Sequence, residues 1–186
     1  MARTESAMIE LGTEAPPFDL EDVISTEHRS LDQVKGKHGL LVMFICQHCP
    51  FVQHVEKELA AIGKDFAGKG LGIAAISSND AATHPEDAPH SLKRQAEKLG
   101  LNFPYLYDES QQVARAYDAT CTPDFFLFDQ DLKLVYRGQL DDSRPGNTVP
   151  VTGRDLRLAI DSLIAGKPIS AEQKPSIGCN IKWKNS

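Results

Sequence analysis

Two cysteines at a C-x-x-C spacing, Cys46 and Cys49, are the residues of this 186-residue chain best suited to chemistry. A pair at this spacing can close an internal disulfide, and the attacking species is a thiolate. A cysteine at the N-terminal end of a helix lies among free backbone N–H groups and the positive end of the helix dipole, which lowers its pKa below the free value of roughly 8.5. The sequence therefore predicts Cys46 as the nucleophile and Cys49, one helical turn deeper and less open to solvent, as the resolving thiol.

The residues on either side of the pair predict the elements that position it. Residues 40–45 form an unbroken apolar run, which is typical of a central strand buried on both faces. After Cys49 the apolar residues follow a helical spacing, at Val52, Val55, Leu59, Ile62 and Phe66. Pro50 is tolerated only in the first turn of a helix, so we expect the helix to begin near Cys49. The local order is therefore strand, cysteine pair, helix.

The rest of the chain predicts an α/β fold. We expect a strand at 71–76, a helix at 91–99, a hairpin formed by 125–128 and 132–136, and a closing helix from about Thr152 to Gly166. Parallel β-α-β units followed by an antiparallel hairpin form a central mixed sheet that helices flank on both faces. We expect a single domain over residues 1–186, in which residues 1–37 are an N-terminal β-hairpin extension and residues 167–186 a C-terminal tail packed on the body.

A second signal, Thr122-Pro123, stands just before the predicted strand at 125–128. An X-Pro bond can be cis, and we predict that this one is, because it accompanies a C-x-x-C pair. A cis-proline loop opposite the cysteines would expose the backbone of Thr122 for pairing with an extended substrate strand. Cys121, next to this loop, and Cys179, in the tail, are possible additional redox residues. The alternatives are a buried inert thiol for Cys121 and a simple tail thiol for Cys179.

These motifs resemble the thioredoxin-like superfamily, in the branch near peroxiredoxins and the thiol-disulfide oxidoreductases of the TlpA/ResA type. The similarity spans residues 10 to about 165, includes Pro16-Pro17-Phe18, and is closest to a peroxiredoxin-like family of largely uncharacterised bacterial proteins. It implies a thioredoxin-like fold and disulfide chemistry. Where peroxiredoxins place a threonine that binds peroxide, three residues before the first cysteine, this chain has Met43. The resemblance therefore favours disulfide exchange over peroxide reduction.

Of the two residues between the cysteines, His48 has the side chain better suited to take part in the reaction. As in DsbA-like loops, a histidine directly before the second cysteine would stabilise the Cys46 thiolate by charge or hydrogen bonding and make the disulfide more oxidising. The alternative is a solvent-exposed loop histidine. Together with the Thr122-Pro123 loop, His48 completes the predicted set of catalytic residues.

Charge and hydropathy argue against several classes of partner. A formal net charge of −6 is unfavourable for nucleic acid, which needs a concentrated basic face. The longest apolar run is far shorter than the about 18 residues of a membrane span. Residues 1–10 lack the apolar segment of a secretory signal, so we expect a cytoplasmic protein that does not bind membranes. Because the chain has no glycine-rich phosphate loop, no organic cofactor is expected.

The sequence thus predicts a thiol-disulfide oxidoreductase. The Cys46 thiolate would attack a disulfide-bearing protein or small thiol substrate, and Cys49 would resolve the mixed disulfide. A separate reductase or glutathione would supply electrons. One alternative is a peroxidase, in which a hydroperoxide oxidises Cys46 to sulfenic acid. The other is a Zn or Cu(I) site formed by Cys46, Cys49 and His48, with Cys121 or Cys179 as a further ligand.

Overall fold

The computed structural model describes residues 3–185. The strands are β1 (Arg3–Glu5), β2 (Asp19–Asp22), β3 (His28–Ser30), β4 (Gly39–Phe44), β5 (Leu71–Ser77), β6 (Tyr105–Tyr107), β7 (Cys121–Thr122), β8 (Asp124–Asp129), β9 (Leu134–Arg137) and β10 (Ile177–Asn180). The helices are α1 (Leu31–Val34), α2 (Pro50–Asp65), α3 (Pro89–Leu99), α4 (Gln112–Ala116) and α5 (Arg154–Ile164), with a 3-10 turn at Pro85–Asp87. Within the described residues no helix is both long and apolar enough to cross a bilayer.

A seven-stranded mixed sheet, in the order β3-β2-β6-β5-β4-β8-β9, forms the body of the protein. Strand β4 pairs in parallel with β5 and antiparallel with β8. Leu41 and Met43 pack on one face with residues of α2, α3 and α5, whereas Leu40, Val42 and Phe44 pack on the other face with residues of α1 and α4. Both faces are covered, which explains why the apolar run of β4 does not alternate. The predicted α/β fold with a central mixed sheet is confirmed.

The predicted elements match the structure at their centres and differ at their ends. Helix α2 begins at Pro50 with Cys49 as its N-cap residue, as expected. Helix α3 begins at Pro89, two residues before the predicted start, because proline is accepted in the first turn. Helix α5 begins only at Arg154, since Gly153 before it has a φ of 64° and lies outside the helix.

A smaller antiparallel sheet, in the order β1-β10-β7, joins the chain ends to the body. Cys179 lies opposite Arg3 on one side and opposite Thr122 on the other. A Cβ atom added to Gly178 would lie only 1.8 Å from the carbonyl oxygen of Thr122, so this close approach requires a glycine. The prediction that the Thr122 backbone is exposed is therefore wrong for this structure, because the C-terminal tail already pairs with it.

Candidate active site

The fold brings Cys46, Cys49, Thr122 and Pro123 to one point. Cys46 follows the end of β4, and Cys49 precedes the first residue of α2. The Cys46 Sγ lies 3.3 Å from Thr122 Oγ1, and the Cys49 Sγ, in its protonated form, donates to the Thr122 carbonyl oxygen at 3.3 Å. The Thr122–Pro123 peptide bond is cis, the isomer expected from the sequence. The chain thus assembles four of the five residues predicted to be catalytic around two neighbouring sulfurs.

The two cysteines do not differ in exposure. Both have an exposed fraction of 0%, and Cys179 in β10 has one of 2%. Thr122 lies against both site sulfurs, and β10 pairs with the strand that carries Thr122. The prediction that Cys46 is the more open thiol is therefore wrong for this structure, since tertiary packing covers it as fully as Cys49.

A hydrogen bond joins the two thiols, and their order of acidity differs from the predicted one. The pKa of Cys49 is lowered because the Cys46 thiol donates to its sulfur. Burial opposes this effect, whereas the Cys179 thiol and the backbone N–H of Val52 add to it. Burial raises the pKa of Cys46, and Cys49 and the negative charge of Asp87 raise it further. The hydrogen bond from Cys46 therefore contributes most to a thiolate on Cys49, while burial contributes most to keeping Cys46 protonated.

We expect the reduced protein to carry its thiolate on Cys49 at neutral pH. Ultraviolet thiolate absorbance should persist in Cys46→Ser, because a serine hydroxyl can still donate to Cys49. It should disappear in Cys49→Ser, where burial and Asp87 keep the pKa of Cys46 raised. The matched control is Cys121→Ser, which removes a thiol whose pKa burial also raises and should leave the signal unchanged. If the absorbance instead persists in Cys49→Ser and disappears in Cys46→Ser, Cys46 has the lower pKa of the two thiols, as the sequence predicted.

Asp87 holds the loop between the two cysteines. Its Oδ1 accepts the backbone N–H groups of Gln47 at 2.8 Å and His48 at 3.1 Å. Its Oδ2 accepts Nδ2 of Asn79 at 2.8 Å and also contacts Nδ1 of His48. Burial raises the pKa of Asp87, but the hydrogen bonds from His48 and Asn79 outweigh burial and leave the pKa below its ordinary value. A charged carboxylate therefore fixes the geometry of the cysteine loop.

His48 faces this carboxylate rather than solvent. Its side chain is only 10% exposed, and Nδ1 pairs with Asp87. The His48 ring also lies against that of His84, with 4.6 Å between the ring centroids. The interpretation of His48 as a solvent-exposed loop histidine is therefore wrong. Asp87 occupies Nδ1 of His48, and the predicted action of His48 on Cys46 stays a prediction.

The two additional cysteines have different surroundings. Cys121 directs its sulfur to the Pro123 carbonyl oxygen at 3.6 Å, and burial raises its pKa. Cys179 instead hydrogen-bonds with the sulfur of Cys49 and lies near the backbone N–H of Phe51, at the start of α2. Tertiary structure thus places Cys179 in contact with the cysteine pair, whereas Cys121 contacts the backbone of the proline loop.

Residues 11–137 match the AhpC/TSA family. The chain belongs to this family. Thiol-disulfide oxidoreductase ResA of Geobacillus kaustophilus is 31% identical over 142 residues, which cover 74% of this chain and 75% of that protein. ResA of Bacillus subtilis is 30% identical over 124 residues, which cover 67% and 64% of the respective chains. These relatives confirm the thioredoxin-like branch near ResA that the motifs indicated.

Similar solved structures extend the comparison beyond residues 11–137. An uncharacterised conserved protein of Geobacillus kaustophilus is 56% identical, with a TM-score of 0.98, and the match covers 100% of this chain and 98% of that one. A hypothetical protein of Sinorhizobium meliloti is 48% identical, with a TM-score of 0.96 and coverage of 98% and 100%. A putative thiol:disulfide interchange protein DsbE of Chlorobium tepidum, at 18% identity and a TM-score of 0.64 over 84% of this chain and 99% of that one, shares the thioredoxin-like fold.

The possible metal ligands of this AhpC/TSA-family chain differ from the predicted set. Cys46, His48 and Asp87 each offer one ligand atom, and these atoms lie within 4.8 Å of one another. Asp87 thus takes the place that the sequence analysis assigned to other cysteines. Both of its oxygens already accept hydrogen bonds from the cysteine loop or from Asn79. The contacts favour a positioning role for Asp87 over a role as a metal ligand.

Sequence reasoning missed several residues that contact the site. Asp87 lies in the polar connection between β5 and α3, where an acidic residue among prolines resembles many exposed turns. Gln95 donates its Nε2 to the carbonyl oxygen of Cys46 at 3.3 Å, and the Tyr105 hydroxyl donates to Gln95 Oε1 at 3.1 Å. No local pattern distinguishes these buried polar residues from exposed ones. Their burial depends on segments that lie far apart in the chain.

Proposed function

We propose that this protein is a thiol-disulfide oxidoreductase in which Cys46 attacks a substrate disulfide and Cys49 resolves the intermediate. The observation that carries the proposal is the direct contact of the two sulfurs at the N-terminal end of α2. The Cys49 thiolate lies within hydrogen-bond reach of the Cys46 thiol and can take its proton as Cys46 attacks. The ResA relatives are thiol-disulfide oxidoreductases, which supports the same reaction class.

The proposed reaction moves two electrons from the protein to the substrate. As the Cys46 sulfur bonds to one substrate sulfur, its proton passes to Cys49, and the substrate S–S bond breaks to release a first thiolate. Cys49 then loses that proton and attacks Cys46, which closes the Cys46–Cys49 disulfide and releases the second thiolate. Both released thiolates take up protons. A separate reductase or glutathione would return two electrons to the cysteine pair.

Thr122 supports the attacking sulfur in this proposal. Its hydroxyl lies 3.3 Å from the Cys46 Sγ and lowers the pKa of that thiol, although burial and the neighbouring charges raise it more. A hydroxyl in this position can donate to the negative charge that develops on Cys46. Because both sulfurs are buried, a protein substrate reaches them only after covering segments such as β10 move aside.

A trapping experiment tests the proposal. We expect Cys49→Ser to form a mixed disulfide with oxidised glutathione at Cys46 more slowly at neutral than at alkaline pH, because the variant lacks the base that takes the Cys46 proton. The adduct should accumulate because the resolving thiol is also gone, and the variant should trap protein partners when expressed in cells. Cys46→Ser/Cys49→Ser should form no such adduct, and Cys121→Ser should still form the internal disulfide. Mass spectrometry of alkylated peptides locates each bond. An adduct confined to Cys121 or Cys179 would contradict the assigned roles.

Peroxide reduction is the second candidate, because the Thr122 hydroxyl beside Cys46 offers a donor to an incoming oxygen. Met43, which stands where peroxiredoxins carry their threonine, is fully buried and supplies no hydroxyl. In this reaction the Cys46 sulfur bonds to one peroxide oxygen, the O–O bond breaks, and an alcohol or water leaves, so that Cys46 becomes sulfenic acid. Cys49 then attacks the Cys46 sulfur, the S–O bond breaks, water leaves, and the Cys46–Cys49 disulfide forms. The Cys49→Ser variant separates the two functions, since a peroxidase would form sulfenic acid with hydroperoxide faster than it forms the glutathione adduct.

The cytoplasmic location stays a prediction.

A further inference from the structure

Strand β10 occupies the position in which a substrate strand was expected. It pairs antiparallel with β7, so that Cys179 lies opposite Thr122 and Asn180 opposite Cys121. Thr122 is also the residue that touches both sulfurs of the candidate site. An extended substrate would use the same backbone edge to bring its own cysteine to the pair. The chain therefore presents a cysteine of its own to its own active site.

The three sulfurs are arranged with Cys49 between the other two. Cys49 hydrogen-bonds with Cys46, and it also hydrogen-bonds with Cys179. Cys179 is 2% exposed and belongs to the same buried cluster as the pair. A thiol next to one sulfur of a disulfide is placed to attack that sulfur. The contact identifies Cys49 as the partner of Cys179.

The tail is anchored on both sides of Cys179. Before it, the Ser176 hydroxyl donates to the Pro123 carbonyl oxygen at 2.7 Å. After it, the Lys182 N–H donates to Asn79 Oδ1 at 2.8 Å, and Asn79 Nδ2 donates to Asp87. The tail and the cysteine loop therefore share one buried hydrogen-bond network. Hydrogen bonds on both sides of Cys179 therefore hold its thiol in place against the Cys46–Cys49 pair.

We propose that Cys179 is a third redox thiol that converts the Cys46–Cys49 disulfide into a Cys49–Cys179 disulfide, an inference that rests on the proposed function. The Cys179 sulfur attacks the Cys49 sulfur, the Cys49–Cys179 bond forms, and the Cys46–Cys49 bond breaks. Cys46 leaves with the electron pair and takes up the proton that Cys179 has lost. The number of disulfides is unchanged, so the step needs no further oxidant. After the step Cys46 is again a thiol, and the disulfide joins Cys49 to Cys179 in the C-terminal tail.

The electrostatic surroundings of Cys179 change in the direction that this step needs. Burial, followed by the contact with Cys49, raises the pKa of Cys179 to about 12. The contribution of Cys49 disappears once Cys49 belongs to a disulfide and carries neither a proton nor a charge. Lys182 and the backbone N–H of Phe51 still lower the pKa of Cys179. Cys179 is therefore more easily deprotonated when the pair is oxidised than when it is reduced.

Peptide mapping after controlled oxidation tests the inference. Trypsin places Cys46 and Cys49 together on peptide 38–57 and Cys179 on peptide 158–182, because Lys167 and Lys174 precede prolines. The full chain is equilibrated in glutathione buffers of graded oxidation, quenched with a maleimide and digested without reductant. We expect a linked species of the two peptides in which fragmentation shows Cys49 bonded and Cys46 alkylated.

Three variants sharpen this test. In Cys46→Ser, glutathione bound at Cys49 should be displaced by Cys179, which gives the same linked species. In Cys179→Ser the linked species should be lost, whereas in the matched control Cys121→Ser it should be unchanged. If wild-type protein forms the Cys46–Cys49 disulfide while Cys179 is fully alkylated, and Cys46→Ser gives no link, the inference is wrong and the proposed function stands. Absence of the Cys46–Cys49 disulfide from every sample would instead overturn the proposed function.

Gly178→Ala tests the part played by β10 without removing a sulfur. The added Cβ would lie 1.8 Å from the Thr122 carbonyl oxygen, so β10 must move away from β7. We expect the Cys49–Cys179 link to be lost and the Cys46–Cys49 disulfide to persist in the folded variant, with folding checked by circular dichroism. An unchanged yield of the link would contradict the role assigned to strand pairing.

Discussion

Arg137→Met is expected to lower the free energy of unfolding by about 3–5 kcal/mol, because it leaves a buried carboxylate without its counter-charge. Arg137 and Asp124 are both fully buried and are joined by hydrogen bonds of 3.1 and 3.4 Å. The guanidinium also donates to the carbonyl oxygen of Asp118 at 3.3 Å and lies 4.0 Å from the ring centroid of Phe126. Methionine can replace the apolar contacts but none of the charged hydrogen bonds.

The effect of Arg137→Met should depend on pH in a defined direction. Burial raises the pKa of Asp124 to about 6 even though Arg137 opposes the shift. A carboxyl group with a raised folded-state pKa binds its proton more tightly when folded, so stability falls as the pH rises from the unfolded pKa to the folded one. In wild-type protein this fall ends above about pH 6, whereas without Arg137 it continues to higher pH. We therefore expect the difference in stability between the two proteins to widen above that pH.

Denaturation by urea at several pH values measures both effects. The matched control is Arg154→Met, since Arg154 is 67% exposed and pairs with Asp142 and Asp155 at the surface, where salt bridges contribute little. The control should unfold at nearly the wild-type urea concentration at every pH. A variant of Arg137 as stable as the control, or a difference that narrows as the pH rises, would show that the buried pair does not behave as described.

Asp87→Ala should both destabilise the protein and disorganise the cysteine loop. The substitution removes the acceptor of two backbone N–H groups, at Gln47 and His48, and of the buried amide of Asn79. Hydrogen bonds to a charged group contribute about 1.5–3 kcal/mol each, and water entering the vacated space replaces part of that contribution. We expect the free energy of unfolding to fall by about 2–4 kcal/mol. Urea denaturation measures this loss.

Asp87→Asn separates the charge of Asp87 from its hydrogen bonds. The amide oxygen can still accept the backbone N–H groups of the loop, but the negative charge that raises the pKa of Cys46 is gone. We expect the pKa of Cys46 to fall, which alkylation rates against pH in the Cys49→Ser background would show. Glu86→Gln, at the exposed neighbouring acid, is the control and should leave the pKa of Cys46 unchanged. An equal pKa in Asp87→Asn and its parent would refute the electrostatic role.

The sequence by itself determined the unit that carries the cysteines, because that unit depends on residues adjacent in the chain. The unbroken apolar run of β4, the C-x-x-C spacing and the helical stripe after Pro50 are all local patterns, and the structure reproduces their order. The hydrophobic periodicity also determined the central mixed sheet. The proximity of Thr122 and Pro123 to the cysteines was predicted from the presence of an X-Pro bond together with a C-x-x-C pair, since spacing alone does not place a loop more than seventy residues away.

Only the tertiary structure decided which polar and charged residues are buried beside the site. A buried Asp87 or Arg137 has the same appearance in the sequence as an exposed one, because neither belongs to a periodic pattern. Tertiary structure also decided the acidity of the pair, since burial and Asp87 raise the pKa of Cys46, while hydrogen bonds from Cys46 and Cys179 lower the pKa of Cys49. It placed β10 beside Thr122, where Gly178 permits close approach. These outcomes depend on contacts between distant segments, whose energies arise from packing and desolvation that no local stretch of residues encodes.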